Sequence, residues 1–363
     1  MLKKNFREAA ERNKRFLKRQ MMDGILFCAT VGKNPYAIHE NRDNTWKDRP
    51  CLSITDKEWV LEDCRRKAMV YRDIDDDTIP EGYPTLHFGE SVYVYLLGGD
   101  VQFVGSQYHT CSGAKPMIAS EADLHKLQGY ENNEYVRTFC DTAQYFADHT
   151  NGDFWLKYFI TIDALNLAVE LLGTTEAYLM VHDNEALLRK IMEFGVEYNE
   201  WFYRLQKHIY AANNKAALAD AELYELYDKT WYSIDAYDIC SPEVYKHLGF
   251  EYQQELINRV GGGMLHTHGT GLLKLMPEIA KLKGLSLMQI GRDLYSGETL
   301  DFEHVRNFRA MTGDTPLTTH INEHEFLTGI KNKTLPGGTM YHCWVEDIDR
   351  ANKLAYLARE YRV

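Results

Sequence analysis

The 363-residue sequence predicts an α/β protein of the (β/α)8 TIM barrel class with an elaborated N-terminal region, and three observations carry that expectation. From Asp153 onward, short β-rich runs alternate with helical patterns, the signature of βα units on a parallel sheet. The length and the 45% hydrophobic content suffice for one core of barrel size. No solenoid period, low-complexity tract or flexible linker divides the chain, so one domain over residues 1–363 is the simplest organisation.

Residues 1–20 read as a charged helix laid across one end of the fold, with Phe6, Ala9, Ala10, Phe16 and Leu17 as its apolar positions. Residues 21–150 form the elaboration, and GILFCATV (24–31) and SVYVYLL (91–97) are its candidate barrel strands. In the clearer half, 151–363, FWLKYFITI (154–162) is a strand, followed by a helix with Leu165, Ala168, Val169 and Leu172 on one face and Gly173 as its stop. A long helix then begins at Asp183 as its cap, with Leu187, Ile191, Phe194, Tyr198, Phe202 and Leu205 as its core stripe. TWYSIDAYDI (230–239) is a strand that ends at Ser241-Pro242-Glu243, a cap, a first-turn proline and an acid at the positive helix end. Further strands are expected at 264–268, 285–291, 316–321 and 338–345.

The formal net charge of -12 argues against a nucleic-acid surface, since phosphate neutralisation needs clustered Lys and Arg. No apolar run has the length of a signal peptide core or a membrane span, which places the chain in the cytoplasm and off the membrane. Seven cysteines without a compact framework read as reduced thiols, consistent with that compartment. There is no G-x-S-x-G elbow, P-loop or dinucleotide fingerprint, so small-molecule chemistry outside nucleotide binding is the remaining field.

In a barrel the active site lies where strands end and helices begin. That filter selects Asp163, Asp238, His266, His268, Gln289, Asp293, His320, Asn322, His342 and Cys343. His266 and His268, two apart in GGGMLHTHGTG, project from one strand face, and two imidazoles on one face suit a metal. Cys343 at the end of TMYHC adds a thiolate, a ligand set that fits zinc with one open position. A small buried hydrophobe is the alternative for Cys343, and it is the stronger reading for the other six cysteines.

Several segments resemble the uroporphyrinogen decarboxylase superfamily. ERNKRFLKR is similar to its opening RxxRFL helix, DALNLAVELLGTTEAYLMVHDNEALL to its strand-to-helix segment, DICSPEVYKHL to its SPE element, and GGGMLHTHGTGLLKLMPEIAKLKGLSLMQIGRD to the segment that brings a His ahead of the next strand. The likeness spans most of residues 150–363. The Arg-rich R-Q-A-G-R-Y element of true decarboxylases is replaced by DGILFCATVGKNPY, which points instead to the zinc-containing, corrinoid-dependent methyltransferase branch.

The resemblance implies zinc on His266, His268 and Cys343, with His268 where the family has a Cys. Two imidazoles and one thiolate leave the metal at a net charge of about +1, a stronger Lewis acid suited to an oxygen leaving group. The implied activity is methyl transfer from a small methyl ether or similar molecule to a corrinoid on a partner protein, that is, O-demethylation. Asp238, Tyr237 and His320 would position or protonate the departing oxygen, and Asp163, Gln289 and Asn322 would contact substrate. Related barrels also suggest a homodimer. The competing expectations are a metal-independent decarboxylase or other lyase working by acid-base residues, and a non-catalytic docking barrel.

Overall fold

A computed structural model of the chain describes residues 3–32, 54–105, 110–267, 271–291 and 302–363, which leaves His268 and Asp293 outside the described residues. Ten strands are labelled in chain order: β1 (Ile25–Val31), β2 (Glu81–Gly82), β3 (Val101–Gly105), β4 (Thr110–Ala114), β5 (Trp155–Leu156), β6 (Trp231–Tyr232), β7 (Gly263–Leu265), β8 (Leu285–Ile290), β9 (Leu317–Ile321) and β10 (Thr339–Val345). Six form one parallel sheet in the order β1-β10-β9-β8-β7-β6, while β2-β5 is a parallel pair and β3-β4 an antiparallel hairpin.

The order is compatible with a TIM-type α/β fold, and among the described residues the ladders do not close into one ring of eight. Single bonds extend the sheet at both edges. On one side Thr161 bridges Tyr232 of β6. On the other, the Asp77 amide donates to the Phe27 carbonyl at 2.9 Å, and the Phe27 and Ala29 amides donate to the carboxylates of Asp77 and Asp76 at 2.9 and 2.6 Å. Carboxylates therefore do part of the work of a strand beside β1.

Alternation along β1 assigns each residue to a layer. Ile25, Phe27 and Ala29 pack outward with Phe326, Tyr341, Cys343 and Leu354, and Leu26 and Cys28 pack inward with Met264, Leu287 and Met340. Both faces are buried, which is why such a strand reads as a continuous apolar run. Gly263 permits the contact of β6 with β7: at φ +153° its Cβ would stand 2.3 Å from Tyr232 Cε2 and 2.8 Å from the Thr230 carbonyl oxygen.

The opening helix, Phe6–Leu17, lies under this sheet and is tied to it more deeply than a solvated helix would be. Arg12 donates to the Ile25 carbonyl at 2.9 Å and to Asp77 at 2.6 Å, Asn13 donates to the Asp77 carbonyl at 2.7 Å, and Lys3 pairs with Asp76.

Three expectations are corrected. The run 91–97 contains a helix, Val92–Leu96, whose Val92, Tyr93, Val94 and Leu96 are all buried; a short apolar run buried on every side does not declare its period. The long helix Glu185–Leu218 is capped by Asn184, which accepts from the Leu187 amide at 3.2 Å, while Asp183 ends the preceding helix Thr174–Asp183. Of 230–239 only β6 is laddered, because the chain turns into a 3-10 element at Asp235–Tyr237.

Candidate active site in the strand-end cavity

Inward side chains of the sheet enclose a cavity of about 560 Å³. Its floor is apolar: Met264, Leu287 and Met340 stand at the inner positions of β7, β8 and β10 with Leu17 of the opening helix, and Leu26 of β1 and Phe16 pack with them. Two residues further along each strand the same face becomes polar, with Cys28 on β1, Gln289 on β8 and His342 on β10, and with Thr318 and His320 on β9. Cys28, His342 and His320 are partners in register across three adjacent strands.

His266 follows β7, and its Nδ1 is hydrogen-bonded to Gln289 Oε1. With the carbonyl oxygen accepting, Nδ1 carries the hydrogen. The His320 ring lies 5.6 Å from that of His342 and stacks on Trp344 at 5.3 Å and 23°. Burial, together with His320 and the positive charge of Lys157, holds His342 down to about 3, so it is a neutral imidazole across the physiological range.

The opposite side of the lining comes from β2, β5, β6 and the residues that follow them. Lys157 pairs with Glu81 at 3.2 Å and lies over the rings of Trp231 and Tyr83, 4.2 and 5.2 Å from their centroids. Trp155, Tyr71 and Tyr227 complete an aromatic lining.

Of the strand-end residues the sequence selects, His266, Gln289, His320 and His342 meet in or beside this cavity. Asn322, Asp163, Tyr237 and Asp238 do not. Asn322 caps the helix Glu323–Asn332, its Oδ1 accepting from the Glu325 amide at 2.9 Å while Glu325 returns the bond to the Asn322 amide at 3.0 Å. Asp163 caps Ala164–Leu172 through the Asn166 amide at 2.8 Å, and burial beside Asp235 and Glu90 raises it to about 8. Tyr237 is buried with its hydroxyl donating to the Leu248 carbonyl at 3.2 Å, and the backbone oxygen of the adjacent Asp238 accepts from Lys274 at 2.8 Å. None of these four lines the cavity.

Cys343 is likewise displaced from the expected metal set. Its neighbour His342 faces the cavity, so Cys343 faces the outer layer, packed among Phe27, Ile321, Phe326 and Leu354 with its thiol pushed up to about 12 by burial. Among the described residues no three His, Cys, Asp or Glu side chains converge on a shared metal position. Cys343 thus stands on the opposite face of β10 from the cavity, and His268, the third residue of the expected zinc set, lies outside the described residues.

Lys157, Trp231 and Glu81 escaped the sequence reading because each follows or begins a very short strand. His342 was legible: the alternation that joined His266 to His268, applied to TMYHCWV, places Met340, His342 and Trp344 on one face and Tyr341, Cys343 and Val345 on the other.

No family of known sequences matches this chain, and no curated protein does. Among solved structures it is similar to a methyltransferase from Methanosarcina mazei, with a TM-score of 0.58 over 97% of this chain and 98% of that one, at 10% sequence identity. That likeness shows the fold. No helix of the described residues is long and apolar enough to cross a membrane.

Proposed function

We propose that the chain is a methyltransferase that holds a small methylated molecule, such as a methyl ether, in the strand-end cavity and passes the methyl group to a corrinoid carried by a partner protein. The observation that carries this reading is the cavity: an apolar floor beneath Gln289, His320 and His342 on consecutive strands, with His266 bonded to Gln289 beside them. The fold shared with a methyltransferase and the sequence resemblance support it. In the reaction the carbon–oxygen bond breaks, the methyl passes to the acceptor and the departing oxygen takes up a proton.

The chain's own contribution is positional. Met264, Leu287 and Met340 receive the alkyl part of the substrate, and the His320 and His342 imidazoles above them donate hydrogen bonds to its oxygen. A lyase working by acid-base residues is the second reading, supported by the His320 and His342 imidazoles in the cavity lining.

The test is methyl transfer from a panel of methyl ethers to free cob(I)alamin, followed by loss of the Co(I) absorbance, with carbon dioxide release measured in parallel on the corresponding acids. His320→Ala and His342→Ala should each slow transfer by about 100-fold, the usual loss for a positioned proton-handling group, while their thermal midpoints confirm folding. Wild-type rates in both variants would overturn the assignment, and carbon dioxide release without transfer would favour the lyase.

A further inference from the structure

The side of the cavity built by β2, β5, β6 and the residues after them, joined by Thr318 of β9, is rich in hydrogen-bond donors. The Lys157 side chain is 12% exposed, and Glu81, whose side chain is 41% exposed, accepts one of its three ammonium hydrogens. The rest of the ammonium group faces the rings of Trp231 and Tyr83. The indole nitrogens of Trp231 and Trp155, which donate only, are buried without a partner, and so is the hydroxyl of Thr318. All of these residues line the cavity.

The other charged side chains of the described lining are committed elsewhere: Asp77 to Arg12, and Lys67 to Asp63 on the surface. An ammonium withdrawn from water with one exposed acid as acceptor is incompletely compensated, and a second acceptor from a ligand would restore what solvent supplied. Glu81 opposes an anion only weakly, because its exposed carboxylate is screened by water. The flat faces of Trp231 and Tyr83 suit a planar body beside that acceptor.

We infer that Lys157 is the anion subsite of this cavity and holds the carboxylate of a small planar organic acid, whose apolar body lies along Trp231 and reaches toward the methionine floor. This rests on the reading of the cavity as a substrate site and names the substrate class: a carboxylate-bearing aromatic methyl ether, anchored by its acid with its ether oxygen toward His320 and His342. Lys157 is then a specificity-determining residue that acts by binding.

The experiment is a titration of the full chain with 3-methoxybenzoate and with its neutral analogue 3-methoxybenzyl alcohol, read by tryptophan fluorescence and by calorimetry. The acid should bind about tenfold or more tightly than the alcohol, as expected for one charge-assisted contact in a partly desolvated site. Lys157→Met should erase that preference, Lys157→Arg should keep it, and Glu81→Gln should strengthen acid binding by removing the competing carboxylate. Equal affinities in the wild type, no binding of the acid, or a preference that survives in Lys157→Met would each overturn the subsite. The titration needs no methyl acceptor, so a carboxylate preference without methyl transfer retains the subsite and discards the transfer reading, and transfer without the preference does the reverse.

Discussion

Replacing Cys343 with alanine separates a packing role from a metal-binding one by magnitude. The side chain is fully buried among Phe27, Ile321, Phe326 and Leu354 on the outer face of β10. Truncation removes one heavy atom from that layer, a change comparable to deleting one buried methyl group, and should cost about 1 kcal/mol. Spread over the unfolding entropy of a chain this long, at about 2 cal/mol/K per residue, the thermal midpoint should fall by about 1 °C. Its affinity for cavity ligands and any methyl-transfer rate should be unchanged, since the alanine lies behind the cavity wall. Scanning calorimetry, elemental analysis for zinc and the ligand titrations, run side by side on both proteins, check this. If the variant loses stoichiometric zinc present in the wild type, or loses activity while keeping its thermal midpoint, the assignment of Cys343 to the outer layer is refuted.

Other perturbations probe the scaffold. Asp77→Ala leaves two amide and guanidinium donors, from Phe27 and Arg12, facing a void, and should cost about 3–5 kcal/mol, the usual result of unpairing a buried charge; denaturant midpoints indistinguishable from wild type would show that the carboxylate does not hold β1. Asp163 binds its proton more tightly folded than unfolded, with a folded value of about 8 against an ordinary 3.8. Its contribution to stability is therefore fully present below the unfolded value and is lost as pH rises toward the folded one. Asp163→Asn keeps the helix cap and removes that loss, so its stability relative to wild type should climb between about pH 4 and 8 in denaturant titrations, and parallel profiles would refute the buried neutral acid.

How far the site was legible depends on where its residues sit. The strands β1, β8, β9 and β10, and the helix Ala164–Leu172, announced themselves through β-rich runs and a period of three to four. His266, Gln289 and His320 then followed from one rule, that polar residues at strand ends face the site. The rule over-selected because strand ends are also helix starts. Asp163 and Asn322 satisfy helix amides, and a single sequence does not distinguish a cap from a ligand when both want the same residue type at the same place.

The composition and local periodicity of the chain therefore determined its class, its parallel strands, the helices between them and a polar band on their inner face, because these depend on spacings within a few residues. Only the tertiary structure decided which wall faces which: that Cys343 belongs to the outer layer and His342 to the cavity, and that Asp77 and Asp76 bond to β1 beside the opening helix. It also brought Lys157, Glu81, Tyr83 and Trp231 together from three separate segments. The physical reason is that a strand's alternation fixes relative faces but not their absolute sense, which is set when helices pack on one side and the sheet curves around the other.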